Sequence, residues 1–229
     1  MDAWISNNAA GLATVLAGVA EDPRFKDNLS RFVTGWSQND PAAASDWIAQ
    51  NPNLKLPDYS VRRAFEALAE HAPAVLTAKL TALPAGTVHE QALGGALSAL
   101  VKTSPQAAAD LFTAQATVKE RRQLIGRVTA GWAAYDPAAA IAWTGTQPAS
   151  TTRDAGVSEM IYVVVKTDPP RALSLASMAS SPQAKDNLAT TALAAWHTID
   201  ATAALAALDR ADLSSEAREK LRTRLQRRQ

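Results

Sequence analysis

Prolines fall at positions 41, 73, 105, 137 and 169, each 32 residues after the one before. They follow Asp40, Ala72, Ser104, Asp136 and Asp168. The next step lands on Asp200-Ala201, where the proline is lost and the acid kept, and the step back lands on Asn8-Ala9. Self-similarity at one fixed period, with no gaps, marks a chain built from repeated supersecondary units. A second column fixes the same register independently: Trp4, Trp36, Leu68, Leu100, Trp132, Val164 and Trp196 each lie four residues before the capping position. The other two tryptophans, Trp47 and Trp143, share another phase with Val15, Leu111 and Leu175.

Each unit reads as two helices. Leu29, Phe32, Val33 and Trp36 in one unit, and Val157, Met160, Ile161 and Val164 in another, follow the i, i+3, i+4, i+7 spacing of an amphipathic helix. A short turn follows. Asp or Ser then sits where an N-cap accepts orphan N–H groups, and Pro occupies the first helical position, where its missing N–H costs nothing. The second helix ends near Asn51-Pro52, Leu83-Pro84 and Gln147-Pro148. A first helix of about 14 residues and a second of about 11 account for the period. Alanine supplies much of the 47% hydrophobic content and aromatics only 6%; its small side chain lets helix backbones approach closely. Such a hairpin cannot bury its apolar face alone, and stacked neighbours do it.

The expected fold is therefore all-α, a right-handed α-solenoid of about six to seven stacked hairpins. It forms a single domain over 1–229, with a partial first repeat at 1–22 and a polar capping helix at 214–229. In that last helix the Phe32 and Trp36 columns become Arg224 and Arg228, while Leu221 and Leu225 persist. The tail from Glu216 to Gln229 holds six Lys/Arg and two Glu. It reads first as a solvated end cap and second as an anion site. Trp4 occupies the last turn of a first helix whose earlier residues are missing, so the chain is expected to begin inside a unit of a longer protein.

Gly35-Trp36, Asp40-Pro41, Ala44 and Trp47 recur as Gly131-Trp132, Asp136-Pro137, Ala140 and Trp143. The units resemble the α-solenoid superfamily of tetratricopeptide and HEAT-like repeats, and more closely the Gly-Trp…Asp-Pro…Trp repeats of uncharacterised bacterial proteins. The early Trp–Leu-Gly–Tyr pattern of the tetratricopeptide unit is absent. The resemblance implies a repeat scaffold, often in proteins with an N-terminal anchor or signal, and implies no activity.

A net charge of +1 points to no strong global field, and the absence of cysteine removes disulfide and thiolate chemistry. No apolar run approaches the roughly 18 residues a membrane span needs. The compartment stays open between bacterial cytoplasm and periplasm. His71, His89 and His197 fall in different phases with no cysteine beside them, so no metal site is expected, nor any cofactor. The regular acids Asp40, Asp136, Asp168 and Asp200 are accounted for as caps, and Gly94-Gly95 as a site of close helix packing.

Two basic columns remain. Arg31, Arg63 and Arg127 share one phase, interrupted by Glu159; Arg121, Arg153 and Lys185 share another with His89, and Asp154 and Asp186 follow two of these as candidate ion-pair partners. Tyr59, His71 and Tyr135 are expected at exposed turns, where tyrosine suits protein interfaces. The expected function is non-enzymatic: a scaffold, monomeric or weakly oligomeric, that binds a protein or peptide through Tyr59, His71, Tyr135, Arg31, Arg63 and Arg127. The alternatives are a nucleic-acid binder using the basic columns and tail, and a plain spacer module.

Overall fold

The structure, a computed structural model, describes residues 2–18, 23–52, 56 and 58–227. The expectations placed on the Trp4 side chain and on Arg228 lie outside the described residues. Every described element is helical, with no strand among them. Contacts divide the chain into two compact units, 1–120 and 121–229.

The first unit holds α1 (Asp2–Gly18), α2 (Pro23–Asn39), α3 (Pro41–Gln50), α4 (Asp58–His71), α5 (Pro73–Thr81), α6 (Thr87–Thr103) and α7 (Pro105–Gln115). The second begins within α8 (Val118–Ala133). It continues through α9 (Pro137–Thr146), α10 (Thr151–Val164), α11 (Pro169–Ser174), α12 (Pro182–His197), α13 (Ala201–Arg210) and α14 (Ser215–Gln226).

The prolines at 41, 73, 105, 137 and 169 each open a helix. The turn before them closes the same way each time. The N–H of Asp40, Ala72, Ser104, Asp136, Asp168 and Asp200 donates to the carbonyl four residues back, at 2.7–2.9 Å. Those acceptors are Trp36, Leu68, Leu100, Trp132, Val164 and Trp196, which is the tryptophan column. Backbone φ at the six cap positions stays between −139° and −148°. Asn8, one step earlier, breaks α1 with φ −140°. The carboxylates of Asp40, Asp136, Asp168 and Asp200 each accept the N–H three residues on, at 2.9–3.0 Å. Ala72 and Ser104 make no such side-chain bond, so there the proline and the turn alone start the helix.

Within a hairpin the two tryptophan columns meet. The rings of Trp36 and Trp47 lie 6.2 Å apart, as do those of Trp132 and Trp143, a separation suited to tilted aromatic contact. In the first unit α4 packs between α2 and α6, and α5 between α3 and α7. In the second, α12 packs between α10 and α14. Close approach rests on glycine. A Cβ on Gly95 would lie 2.1 Å from the Arg62 carbonyl oxygen, so α4 and α6 meet backbone to backbone. Gly156 similarly admits Ile125 and Thr129 of α8, and Thr129 donates its buried hydroxyl to the Gly156 carbonyl at 2.8 Å.

One second helix differs from expectation. After six residues α11 tightens into a 3-10 turn over Leu175–Met178. Ser174 and Ser177 direct their hydroxyls back to the carbonyls of Arg171 and Ser174, three residues earlier. Such bonds compete with the i−4 ladder and favour the tighter winding. No helix among the described residues is long and apolar enough to cross a membrane.

Candidate functional site

The six residues singled out from sequence do not converge on one spot. Arg63 and His71 share a groove of about 320 Å³ on the outer surface of α2 and α4, with Thr34, Gln38, Glu66 and Glu70. Arg63 is not a free cation there: it pairs with Glu66 at 3.1 Å, and Lys102 reaches the other oxygen of Glu66 at 3.3 Å. His71 places Nδ1 3.0 Å from the Ala67 carbonyl at the end of α4. Arg31 is exposed on α2 and does not line this groove.

Tyr59 opens α4 with its ring half exposed and its hydroxyl accepting from Ser30. Ser30 lies 2.5 Å from Ser60, and both serines are fully buried. Thus the Tyr59 hydroxyl closes an inward hydroxyl cluster between α2 and α4, and only its ring is available for contact.

Tyr135 and Arg127 belong to the second unit. Tyr135 stands at the turn after α8, 67% exposed. Arg127 is half-buried in a groove of about 440 Å³ between α8 and α10, beside Arg122, Gln123, Ser158 and Glu159. Gly126 forms part of that wall, where a Cβ would meet the Glu159 side chain at 2.6 Å.

The acids following the second basic column do something other than pair within it. Asp154 accepts the backbone N–H of Ser180 at 2.8 Å and its hydroxyl at 2.5 Å. Asp186 does the same with Ser214, at 3.0 and 2.5 Å. The Ser214 hydroxyl, followed by its N–H, holds the Asp186 carboxyl below its ordinary value. Each acid thus clasps the loop that leads into the next first helix. Arg153 donates to the Gln147 carbonyl at 3.2 Å, and Lys185 pairs with Asp212. The shared phase of the two acids was legible in sequence; their serine partners, 26 and 28 residues on, were not.

His89 is buried, and its Nδ1 lies 2.8 Å from Glu120 Oε1. The second Glu120 oxygen accepts the N–H and hydroxyl of Thr117, each at 2.8 Å. Thr117-Val-Lys-Glu120 is a capping box, a signal present in the sequence. Burial raises the Glu120 pKa, but the bonds from His89 and Thr117 outweigh it and hold the carboxyl below its ordinary value. The ensemble is structural in geometry: a charge with its lone pairs occupied, enclosed at the start of α8.

On α14 the basic residues divide into two sets. Lys220 pairs with Glu216, Arg222 with Asp209, and Arg218 donates to the Ala211 carbonyl at 2.7 Å. Arg224 and Arg227 are exposed and line a surface depression of about 490 Å³ with Glu219, Lys220 and Thr223. Among the described residues no group of three or more His, Cys, Asp or Glu could hold a metal ion. No family model matches the chain, and no curated protein or solved structure matches it.

Proposed function

We propose that the chain is a right-handed α-solenoid of 32-residue hairpins serving as a non-enzymatic scaffold for a protein or peptide partner. The observation that carries this is the identity of the turns. Six times, one step apart in sequence, the cap N–H returns to the tryptophan-column carbonyl at 2.7–2.9 Å. A recurrent turn gives recurrent hairpins, and recurrent hairpins stack into an extended surface. The packing of first helix on first helix within each unit supports the same reading. So does the placement of grooves, along α2–α4, α8–α10 and α12–α14.

Tyr59, His71 and Tyr135 are contact residues on this reading, since each presents a ring or imidazole to solvent. Arg31, Arg63 and Arg127 serve as polar rim. A phosphate backbone is the less favoured ligand, because Glu66 offsets Arg63 and Glu159 lies beside Arg127. Peptide display against the intact chain is the test. An enriched sequence class that binds with a shallow salt dependence supports the scaffold. Failure to enrich any peptide, together with oligonucleotide binding that falls steeply with salt, contradicts it.

A further inference from the structure

The surface of α14 carries an unusual substitution of register. Counting in steps of 32 from Arg224 gives Met160, Val128, Ala96 and Ala64, with Ala192 one step back, and all five are buried. Arg224 at the same phase is exposed. The helix keeps its own inward face through Leu221 and Leu225, which are buried at 2% and 0% exposure. Thus α14 is seated against α12 and α13, and it turns arginine outward where α4, α6, α8, α10 and α12 bury an aliphatic side chain and α2 half-buries Phe32.

Lys220, Arg224 and Arg227 are spaced by four and three residues, which places them on neighbouring turns of one helix surface. Two depressions adjoin there. One, of about 300 Å³ between α12 and α14, is lined in part by Asn187, Thr190, Lys220 and Arg224; the other, of about 490 Å³, continues past Lys220 and Arg224 to Arg227. The acids nearest the cations are partly committed. Asp186 is held by Ser214, and Glu216 by Lys220, whose hydrogen bond and charge lower the Glu216 pKa.

We propose that the Arg224–Arg227 surface of α14, bordered by the Lys220–Glu216 pair, is a docking site for an acidic helical segment of a partner protein, laid along α14 as one first helix lies along the next. This rests on the scaffold reading and assigns it one bearing face and one partner chemistry. A helix with carboxylates one turn apart matches cations at this spacing. A nucleic-acid strand matches less well, because its continuous phosphates would also face Glu216 and Glu219, whereas a helix can set uncharged side chains opposite those two and carboxylates opposite the arginines.

The test uses the full chain and three labelled probes in fluorescence anisotropy at low salt. They are an alanine-based helical peptide with glutamates at i, i+4 spacing, the same peptide with lysines, and oligo-dT. The glutamate peptide binds, and the double variant R224E/R227E weakens it at least about tenfold, the size of two exposed charge pairs lost and reversed. The same variant gains binding to the lysine peptide. Far-ultraviolet dichroism and urea melting confirm that the variant is folded, as expected for two exposed positions. The proposal is overturned if the glutamate peptide does not bind, if reversal leaves its binding unchanged, or if oligo-dT binds more tightly through the same arginines. Unchanged binding in the variant removes this surface while leaving a peptide scaffold standing; failure of display to enrich any peptide removes both.

Discussion

The two compact units solve one packing problem with different chemistry. In residues 121–229 the devices repeat: Asp136, Asp168 and Asp200 all cap, and Asp154 and Asp186 clasp successive serines with the same two bonds. In residues 1–120 the caps lapse at Ala72 and Ser104, and each pair of stacked helices has its own tie. Ser30 meets Ser60, Arg62 reaches Gln91 at 2.7 Å, Lys79 pairs with Asp46, and His89 holds Glu120. Both units use caps and long-range polar ties; the second repeats the same ones, whereas the first ties each helix pair differently.

Gly95 is where that contrast breaks most sharply. Gly95→Ala forces α4 and α6 apart, since the new Cβ would sit 2.1 Å from a backbone oxygen that cannot rotate away. A loss of about 3 kcal/mol or more in urea denaturation is expected, at the upper end of overpacking effects. Gly35→Ala, with nothing within 4 Å of the added atom, instead gains about 0.5–1 kcal/mol from helix propensity.

His89→Ala comes next, at about 2–3 kcal/mol, because it leaves the enclosed Glu120 carboxylate without its charged-form partner. The pH profile identifies the cause. Glu120 has a lowered pKa in the folded chain, so its contribution is present above the ordinary value of 4.5 and disappears as pH falls through the folded value. Glu120→Gln flattens that acid limb of the stability curve, measured by urea midpoint against pH.

The repeated devices of the second unit are individually smaller. Asp154→Ala removes both bonds to Ser180 and costs about 1–2 kcal/mol. Asp136→Ala removes one cap and costs about 1 kcal/mol. The smallest effect sharpens the comparison from the other side: Ala72→Asp supplies the cap that α5 lacks and raises stability by at most about 1 kcal/mol, seen as a higher thermal midpoint.

Helices and their starts were legible in the sequence because they depend on short-range chemistry. A proline at the first helical position and an acid before it act within four residues, and the tryptophan column marks the turn they close. The Thr117 capping box is equally local but was not read from the sequence. The Asp154 and Asp186 clasps, the Ser30–Tyr59–Ser60 cluster and the Lys102–Glu66 pair were not legible. Their partners lie 26 to 36 residues away, and small offsets between units decide which side chain arrives. The same limit applies to the six proposed contact residues. Phase placed Arg63 and Arg127 in one column; Glu66, three residues after Arg63, was a local signal that it is paired, whereas the approach of Lys102 to Glu66 was not.

The central claim is that the hairpin is an interchangeable unit, and deleting one is the direct measurement. Removal of residues 169–200 joins Asp168 to Ala201, restoring the cap-and-alanine junction that Asp200 now makes. It also carries Asp154 to the place of Asp186 opposite Ser214, and Arg153 to that of Lys185 opposite Asp212. The account predicts unchanged helicity per residue and a single cooperative urea transition, with a slope reduced in proportion to the shorter chain. Lost helicity, or a broad non-cooperative transition, would contradict it.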